Sequence, residues 1–196
     1  MPTISDDDFV RLFQQRFGLT IDGWAGKEVL AKLDELAPAK MGRASSVPSD
    51  YFSLLAQIES GNRPYVKAST SSASGLYQFI AASWIAEGGK WGTDRGKAFG
   101  GLSPSVDEQT SRALTFTQKN AAYLAGKNIP VNKATLYAAH FLGPVTAAAI
   151  IGADVGDRAD VMAGAAATQA NKSILLNKTV QEFFTWLFKK TGEWPR

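Results

Sequence analysis

The chain has 196 residues, of which 45% are hydrophobic and 20% are charged, so it can form one core with a small appended module and is not a disordered polar chain. It has no cysteine and a single histidine, which excludes disulfides, thiolate metal sites and multi-histidine zinc sites, and argues against a metal-dependent amidase or peptidase. The formal net charge of +3 favours approach to an anionic polymer or surface, but no basic run interleaves with aromatic residues, which argues against nucleic-acid binding.

The ends and the hydropathy pattern predict where the chain resides. The N-terminus is acidic and polar, and it lacks the basic start and apolar run of a signal peptide. The most apolar stretch, from Ala138 to Ile151, is too short for a membrane span of about 20 residues. We therefore expect a soluble cytoplasmic chain that depends on another agent to reach any substrate outside the membrane.

The first 38 residues predict a small helical module. Asp6 to Asp8 provide an N-cap and charges that suit a helix N-terminus, and Gly18 suits its C-terminal end. Asp22-Gly23 is a strong turn signal, and a second helix is predicted from Lys27 to Leu36. The apolar residues of the first helix recur at helical spacing: Phe9, Val10, Leu12, Phe13 and Phe17.

Residues 39–48 have no periodicity and lie between prolines, which predicts a linker, and residues 49–196 then form the larger domain. Ser49 is the predicted N-cap of a helix that ends near Glu59. We expect a mainly α-helical fold with at most a small β-hairpin near Gly75 to Phe79. The later predicted helices are Val106 to Gly126, Leu136 to Ile151, Arg158 to Ala170 and Val180 to Lys190.

Glu59 is the strongest candidate for chemistry. It follows a helical run of apolar residues and precedes a loop rich in serine and threonine. Burial penalises the charged form of a carboxyl group, so a carboxylate on the last turn of a mostly buried helix is expected to have a raised pKa and to act as an acid. Acid-assisted cleavage of a sugar bond needs such a group.

The segment from Glu59 to Phe79 resembles the lytic transglycosylases of the lysozyme-like superfamily. In that family a Glu-Ser pair closes a helix, and a serine precedes Ala-Ser-Gly-Leu-Met-Gln. Here Glu59-Ser60 is followed by Ser69-Thr-Ser-Ser-Ala-Ser-Gly-Leu-Tyr-Gln78, with Tyr77 where methionine is usual. The resemblance implies a lysozyme-like helical domain with Glu59 as the catalytic residue. It also implies substrate contacts from Ser60, Ser69, Gly75, Tyr77 and Gln78.

Most of these contacts have a structural alternative. Ser69 resembles the family serine that bonds near the acid and the N-acetyl group, but serine is also common in turns. Gln78 can exchange hydrogen bonds with a sugar or lie at a strand edge. Tyr77 can stack on a sugar ring or pack internally, and Gly75 is expected mainly for its backbone geometry.

A second family motif, Ala-Tyr-Asn-Ala-Gly-Pro, has its counterpart in Ala139-His140-Phe141-Leu142-Gly143-Pro144. His140 then occupies the family tyrosine position, and Phe141 the asparagine position. The imidazole is interpreted either as a buried group of an apolar helix or as the hydrogen-bond partner that orients Glu59. Tyr137, one turn earlier, is the competing candidate for that role.

The first module is similar to the helical peptidoglycan-binding repeat of many cell-wall hydrolases, whose mark is Gln-x-x-x-Gly-Leu-x-Val-Asp-Gly-x-x-Gly. The matching stretch is Gln14-Gln-Arg-Phe-Gly-Leu-Thr-Ile-Asp-Gly-Trp-Ala-Gly26, in an abbreviated module. The resemblance implies a wall-binding role for Asp22, Gly23 and Trp24. Trp24 is interpreted as a wall contact or, preferentially, as part of the core of the module.

The resemblances together imply a peptidoglycan-degrading bacteriophage endolysin that cleaves the β-1,4 bond between N-acetylmuramic acid and N-acetylglucosamine without a metal or cofactor. After Glu59 the next carboxylates are Glu87 and Asp94, and the lack of a second acid nearby favours a lytic transglycosylase that yields a 1,6-anhydromuramic product. Two alternatives stay open. One is a hydrolytic muramidase, if Glu87 or Asp94 folds back into the cleft, and the other is a non-catalytic wall-binding virion protein.

An endolysin of this kind is expected to act as a monomer. It accumulates in the host cytoplasm and reaches peptidoglycan in the periplasm through a phage-made membrane lesion, which leads to host lysis. The stretch Val180 to Lys190 is amphipathic with a basic end. It is interpreted as a helix that closes the core or, alternatively, as a transient contact with an anionic membrane surface.

Overall fold

The computed structural model describes residues 5–26, 28–29, 32–33 and 47–196, except for the side chains of residues 6 and 7. The chain divides into two units, Met1–Arg43 and Ala44–Arg196. Most of the predicted linker, residues 39–46, lies outside the described residues. None of the helices in the described ranges has the length and apolar character that crossing a membrane requires.

The smaller unit begins with helix α1, Asp6–Phe17. Its N-cap is Ser5, whose hydroxyl accepts a hydrogen bond from the backbone N–H of Asp8 at 3.2 Å, so the prediction of a cap within Asp6 to Asp8 is wrong. The helix ends at Gly18 in the left-handed conformation (φ 67°), as its position in the sequence predicted. The second predicted helix is seen at residues 28–29 and 32–33, and the rest of it lies outside the described residues.

The larger unit is built from helices joined by loops. The predicted strand near Gly75 is reduced to isolated β-bridges that join Ser74 to Lys67 and to Phe79, and the described residues contain essentially no strands. A short 3₁₀ helix covers Ala98–Gly101. The α-helices are α2 (Tyr51–Ser60), α3 (Ala81–Ala86), α4 (Val106–Gly126), α5 (Lys133–Leu142), α6 (Pro144–Gly152), α7 (Ala159–Ala170), α8 (Lys172–Leu175) and α9 (Val180–Thr191).

Two details of the predicted helices are wrong. Asp50, not Ser49, is the N-cap of α2, and its side chain makes no capping hydrogen bond. The single helix predicted from Leu136 to Ile151 is two helices, because Gly143 adopts φ 79° and ψ 152° and Pro144 begins α6. Proline has no N–H to donate and is favoured at the first position of a helix, so this pair ends one helix and starts another.

Helix α9 contributes to the core of the larger unit through its apolar side. Val180, Phe183 and Leu187 have no exposed surface, and the α9 ring of Trp186 stacks on Tyr137 of α5 at 5.5 Å. Burial of one such side chain contributes about 1.5–3 kcal/mol. The buried face supports the interpretation of this helix as an element that closes the core.

Candidate active site

A groove of about 930 Å³ runs across the larger unit. Glu59 lies in it near the C-terminal end of α2, where the chain leaves the helix through Gly61 in the left-handed conformation (φ 59°). Other parts of its wall come from the junction of α5 and α6 and from the C-terminal end of α7. The other residues that line it are Thr70, Ser71, Ala73, Gln78, Phe79, Ile80, Ser83, Phe116, His140, Phe141, Leu142, Gly143, Pro144, Gln169, Ala170 and Asn171.

Two buried phenols lie within the electrostatic reach of the Glu59 carboxylate. Burial is the main cause that raises the pKa of Tyr137, and the negative charge of Glu59 and a hydrogen-bonding interaction with it raise this pKa further. The pKa of Tyr51 is likewise raised by burial and then by the charge of Glu59. Both phenols are therefore neutral at physiological pH, so Tyr137 can donate a hydrogen bond to the carboxylate.

Tyr51 was not predicted as a site residue, because its place in an apolar helical run indicated only packing. Its hydroxyl is buried, and no hydrogen-bond partner meets it among the described residues. The ring packs edge-on against Phe52 at 5.5 Å. A polar atom left unpaired in the interior beside a carboxylate is unusual in a purely structural helix.

His140 lines the same groove as Glu59 and is surrounded by aromatic rings. The rings of Phe79 and Phe116 meet the imidazole edge-on, with centroids 6.2 and 5.9 Å away. Burial lowers the pKa of His140, against the opposing effects of the Glu59 charge and the Tyr77 backbone, and its Nδ1 atom has no hydrogen-bond partner among the described residues. The imidazole is thus a neutral group that faces the groove, while Tyr137 offers a neutral phenol within range of the Glu59 charge.

Two of the residues predicted as substrate contacts have buried side chains that bond within the larger unit. Ser60 is buried, and its hydroxyl donates to the carbonyl of Ala56 at 2.9 Å and accepts from the N–H of Arg63 at 3.2 Å, which caps the end of α2. Tyr77 is also buried, and its hydroxyl lies 3.2 Å from that of Thr110. Neither side chain lines the groove, because both are used within the core.

Gly75 is required by the close approach of another segment. It adopts φ 80°, and a Cβ atom there would collide with the ring of Phe99 and lie 2.5 Å from Oε1 of Gln109. The same Oε1 accepts a hydrogen bond from the N–H of Leu76 at 2.9 Å. Gly75 therefore acts through the backbone, the role expected for this glycine, and positions the segment that leads to Gln78.

Gln78 lies in the groove, whereas Ser69 does not. The side-chain Nε2 of Gln78 donates to the carbonyls of Gly75 at 3.0 Å and Val66 at 3.3 Å, and these bonds fix the amide. Ser69 is exposed and lines a neighbouring depression, while the next residues, Thr70 and Ser71, line both. Of the predicted residues in this loop, Gln78 therefore reaches the groove, and Thr70 and Ser71 reach it in place of Ser69.

Among the described residues that line the groove, Glu59 is the only carboxylate. Glu87 forms an ion pair with Lys119 at 2.9 Å, and Asp94 pairs with Lys97 at 3.4 Å. Neither carboxylate lines the groove, so the described groove offers one carboxylate for proton transfer. The described residues contain no group of three or more histidine, aspartate or glutamate side chains that could hold a metal ion.

The smaller unit carries the predicted wall-binding residues on a loop held by Gln14. The buried amide of Gln14 donates to the carboxylate of Asp22 at 2.6 Å and to the carbonyl of Trp24 at 3.0 Å, and it accepts from the N–H of Gly23 at 2.9 Å. Hydrogen bonds from the Trp24 backbone and the Gln14 side chain lower the pKa of Asp22. The Trp24 side chain is 78% exposed, so the preferred interpretation of it as a core residue is wrong.

No protein-family model matches this chain, and no match was found among curated proteins.

Proposed function

We propose that the chain is a peptidoglycan lytic transglycosylase that cleaves the β-1,4 bond between N-acetylmuramic acid and N-acetylglucosamine. The observation that carries the proposal is a single carboxylate, Glu59, in a groove of about 930 Å³, with the buried, neutral phenol of Tyr137 within range of its charge. A groove of this kind suits a polymer, and one carboxylate suits a reaction in which the same group gives a proton and takes one back.

Glu59 first donates its proton to the glycosidic oxygen, which leaves as the hydroxyl of N-acetylglucosamine as its bond to the anomeric carbon breaks. The resulting carboxylate then accepts the proton of the muramic C6 hydroxyl while its oxygen bonds to the anomeric carbon. The product is a 1,6-anhydro ring, and no water is consumed. A nucleophile in the same sugar has a high effective concentration, so no second carboxylate is needed to activate it.

The neighbours of Glu59 have complementary tasks in this mechanism. Tyr137 donates to the carboxylate and holds it in one orientation. His140, which is neutral, adds a polar ring atom to the groove without placing a second full charge beside Glu59. Phe79 and Phe116 line the same part of the groove and exclude water from the reacting bond.

The helical larger unit, with Glu59 at the end of a helix and a return loop to Gln78, supports a lysozyme-like arrangement for this domain. The exposed Trp24 on a loop braced by Asp22 supports a peptidoglycan-binding role for the smaller unit. The biological role that fits both is lysis of a bacterial host by a phage endolysin that moves from the cytoplasm to the wall at the end of infection.

The deciding experiment is digestion of purified peptidoglycan, followed by mass spectrometry of the released fragments. The expected product carries a 1,6-anhydromuramic end and is lighter by one water than the reducing product of a hydrolase. The reducing product would instead establish a muramidase. The variant Glu59→Gln is expected to lose about 10²–10⁴-fold in rate, the usual contribution of general acid–base catalysis. If neither wild type nor variant releases fragments, the protein is a wall-binding protein and the proposal fails.

A further inference from the structure

A second depression, the basic pocket, adjoins the groove. It has a volume of about 420 Å³ and shares Thr70 and Ser71 with the groove as a common wall. Three cationic side chains line it, and no carboxylate does so among the described residues. These cations are Lys67, Arg95 and Lys97.

The positive charge of the basic pocket is largely unneutralised. The ammonium of Lys67 donates to the backbone carbonyls of Ala68 and Ser71, each at 2.9 Å, so neutral groups hold it in place while its charge and one N–H stay available. Arg95 is exposed and makes no ion pair or hydrogen bond with a described residue. Lys97 pairs with Asp94 at 3.4 Å, but both side chains are exposed, and such pairs are weak.

The basic pocket also has an apolar wall. Trp91 lines it, is half-buried, and packs against Phe99 with ring centroids 5.7 Å apart. Cations beside an aromatic face suit an anionic ligand that also carries aliphatic groups, more than they suit a bare inorganic anion. Thr70 and Ser71 line both the groove and the basic pocket, so the two cavities are neighbours. One molecule can therefore occupy both, with a polymer in the groove and an anionic group attached to that polymer in the basic pocket.

We propose that the basic pocket binds the carboxylates of the stem peptide attached to the muramic residue of the strand being cleaved. This inference rests on the proposed function, since it assigns the pocket to the same substrate. The sugar backbone offers no carboxylate of its own when the lactyl group is in amide linkage, so the three cations have a partner only if the peptide is present. The protein therefore prefers peptide-bearing strands to bare glycan.

The test compares cleavage of three substrates: peptidoglycan with intact stem peptides, the same material after an amidase has removed the peptides and the freed lactyl carboxylates have been amidated, and peptidoglycan whose stem carboxylates have been amidated. The measured quantity is the ratio of kcat/KM on intact strands to that on bare strands. The double variant Arg95→Gln/Lys97→Gln is compared with Lys127→Gln/Lys190→Gln, which removes the same net charge at residues outside the pocket. Long-range steering therefore changes equally in both.

For the wild type, the ratio is expected to exceed unity and to fall when the carboxylates are amidated. The double pocket variant is expected to lower the ratio by about three- to tenfold, as for the loss of two exposed charge pairs, and the control variant is expected to leave it unchanged. An unchanged ratio in the pocket variant, or a wild-type ratio that amidation does not alter, would overturn the inference.

Failure of the proposed function gives a different result, because the wild type would then cleave none of the three substrates. In that case, calorimetric titration with a soluble stem peptide, and with inorganic phosphate for comparison, decides the inference. Weaker peptide binding by Arg95→Gln/Lys97→Gln than by the control supports the pocket as a peptide-carboxylate site. Equal binding by the two variants, or phosphate binding as tight as peptide binding, overturns it.

Discussion

The phenol of Tyr137, on α5, lies close enough to Glu59, at the end of α2, for the carboxylate charge to raise the pKa of the phenol. Removal of this hydroxyl in Tyr137→Phe leaves a ring of the same shape. We expect kcat to fall by about 10- to 100-fold, because a hydrogen bond to a charged group contributes about 1.5–3 kcal/mol. The measurement is turnover on purified peptidoglycan, with circular dichroism to confirm that the fold persists.

Tyr51→Phe is the matched control for that variant, since it removes the same atom from another phenol near Glu59. The Tyr51 hydroxyl has no hydrogen-bond partner among the described residues, so its removal is expected to leave the free energy of unfolding unchanged or to raise it by up to about 1 kcal/mol. Turnover should change far less than in Tyr137→Phe. An equal loss in both variants would show that the hydrogen bond to Glu59 is not the reason.

His140 makes folding stability depend on pH in a defined window. Burial lowers its pKa in the folded protein below the ordinary value of 6.5, so the unfolded chain binds the proton more readily. Stability is therefore full above about pH 6.5 and declines as the pH falls below it, by at most about 1.4 kcal/mol per pH unit for one proton. Since it is the only histidine in the chain, His140→Gln should flatten this decline between pH 5 and 6.5. Urea unfolding at several pH values measures the effect; an unchanged slope in the variant would contradict it.

Gly75→Ala is expected to destabilise the larger unit. The left-handed conformation costs a non-glycine residue about 1–2 kcal/mol, and the collision with Phe99 adds about 1–3 kcal/mol of overpacking. Gly126→Ala is the control, because its Cβ would meet no atom within 4 Å and alanine is the better helix former. Chemical denaturation should show a loss for the first variant and no loss for the second; similar values for both would refute the packing argument.

Glu87→Gln and Asp94→Asn should both keep the chemistry, because neither carboxylate lines the groove. Glu87→Gln is expected to cost about 1–3 kcal/mol in stability, because the Glu87 side chain is only 6% exposed and loses its charged hydrogen bond with Lys119. The check is kcat on peptidoglycan, with the product identified by mass. If either variant lost as much kcat as Glu59→Gln does, a mechanism with two carboxylates would be favoured instead.

Trp24→Ala tests the smaller unit. The side chain is 78% exposed, so truncation should scarcely change stability. If the loop contacts the wall, sedimentation with purified sacculi should show weaker binding by this variant than by wild type. Phe9→Ala, another exposed aromatic position of the same unit, provides the comparison.

The helices were predictable where capping and periodicity agree. Val106–Gly126 was predicted as a long helix starting at Ser105 or Pro104, and the structure makes Ser105 its N-cap, with Asp107 and Glu108 in the first turn. The division of α5 from α6 was missed because Gly143 and Pro144 lie within an otherwise continuous apolar stretch. The signal was present, since proline favours the first helical position, but hydrophobicity outweighed it in the interpretation.

The sequence indicated which segments contribute to the groove, but not the direction of each side chain. The place of Glu59 at the end of an apolar helix, together with the resemblance to family motifs that pointed to Gln78 and His140, selected three residues that all line one groove. The sequence could not show that Ser60 and Tyr77 turn inward, because a loop motif fixes the order of residues and not the direction of each side chain. Phe116 and Gln169 were missed because only the packing of distant helices brings them to the groove.

The break between α5 and α6 at Gly143 and Pro144 is a feature of the backbone, and both residues line the groove. Substitutions at Phe141 or Leu142 can change the surface that a ligand contacts, while the backbone around the groove stays the same. Side-chain substitutions there can therefore change which ligands bind while the fold is kept. A substitution that made α5 and α6 one continuous helix would instead alter the groove for every ligand.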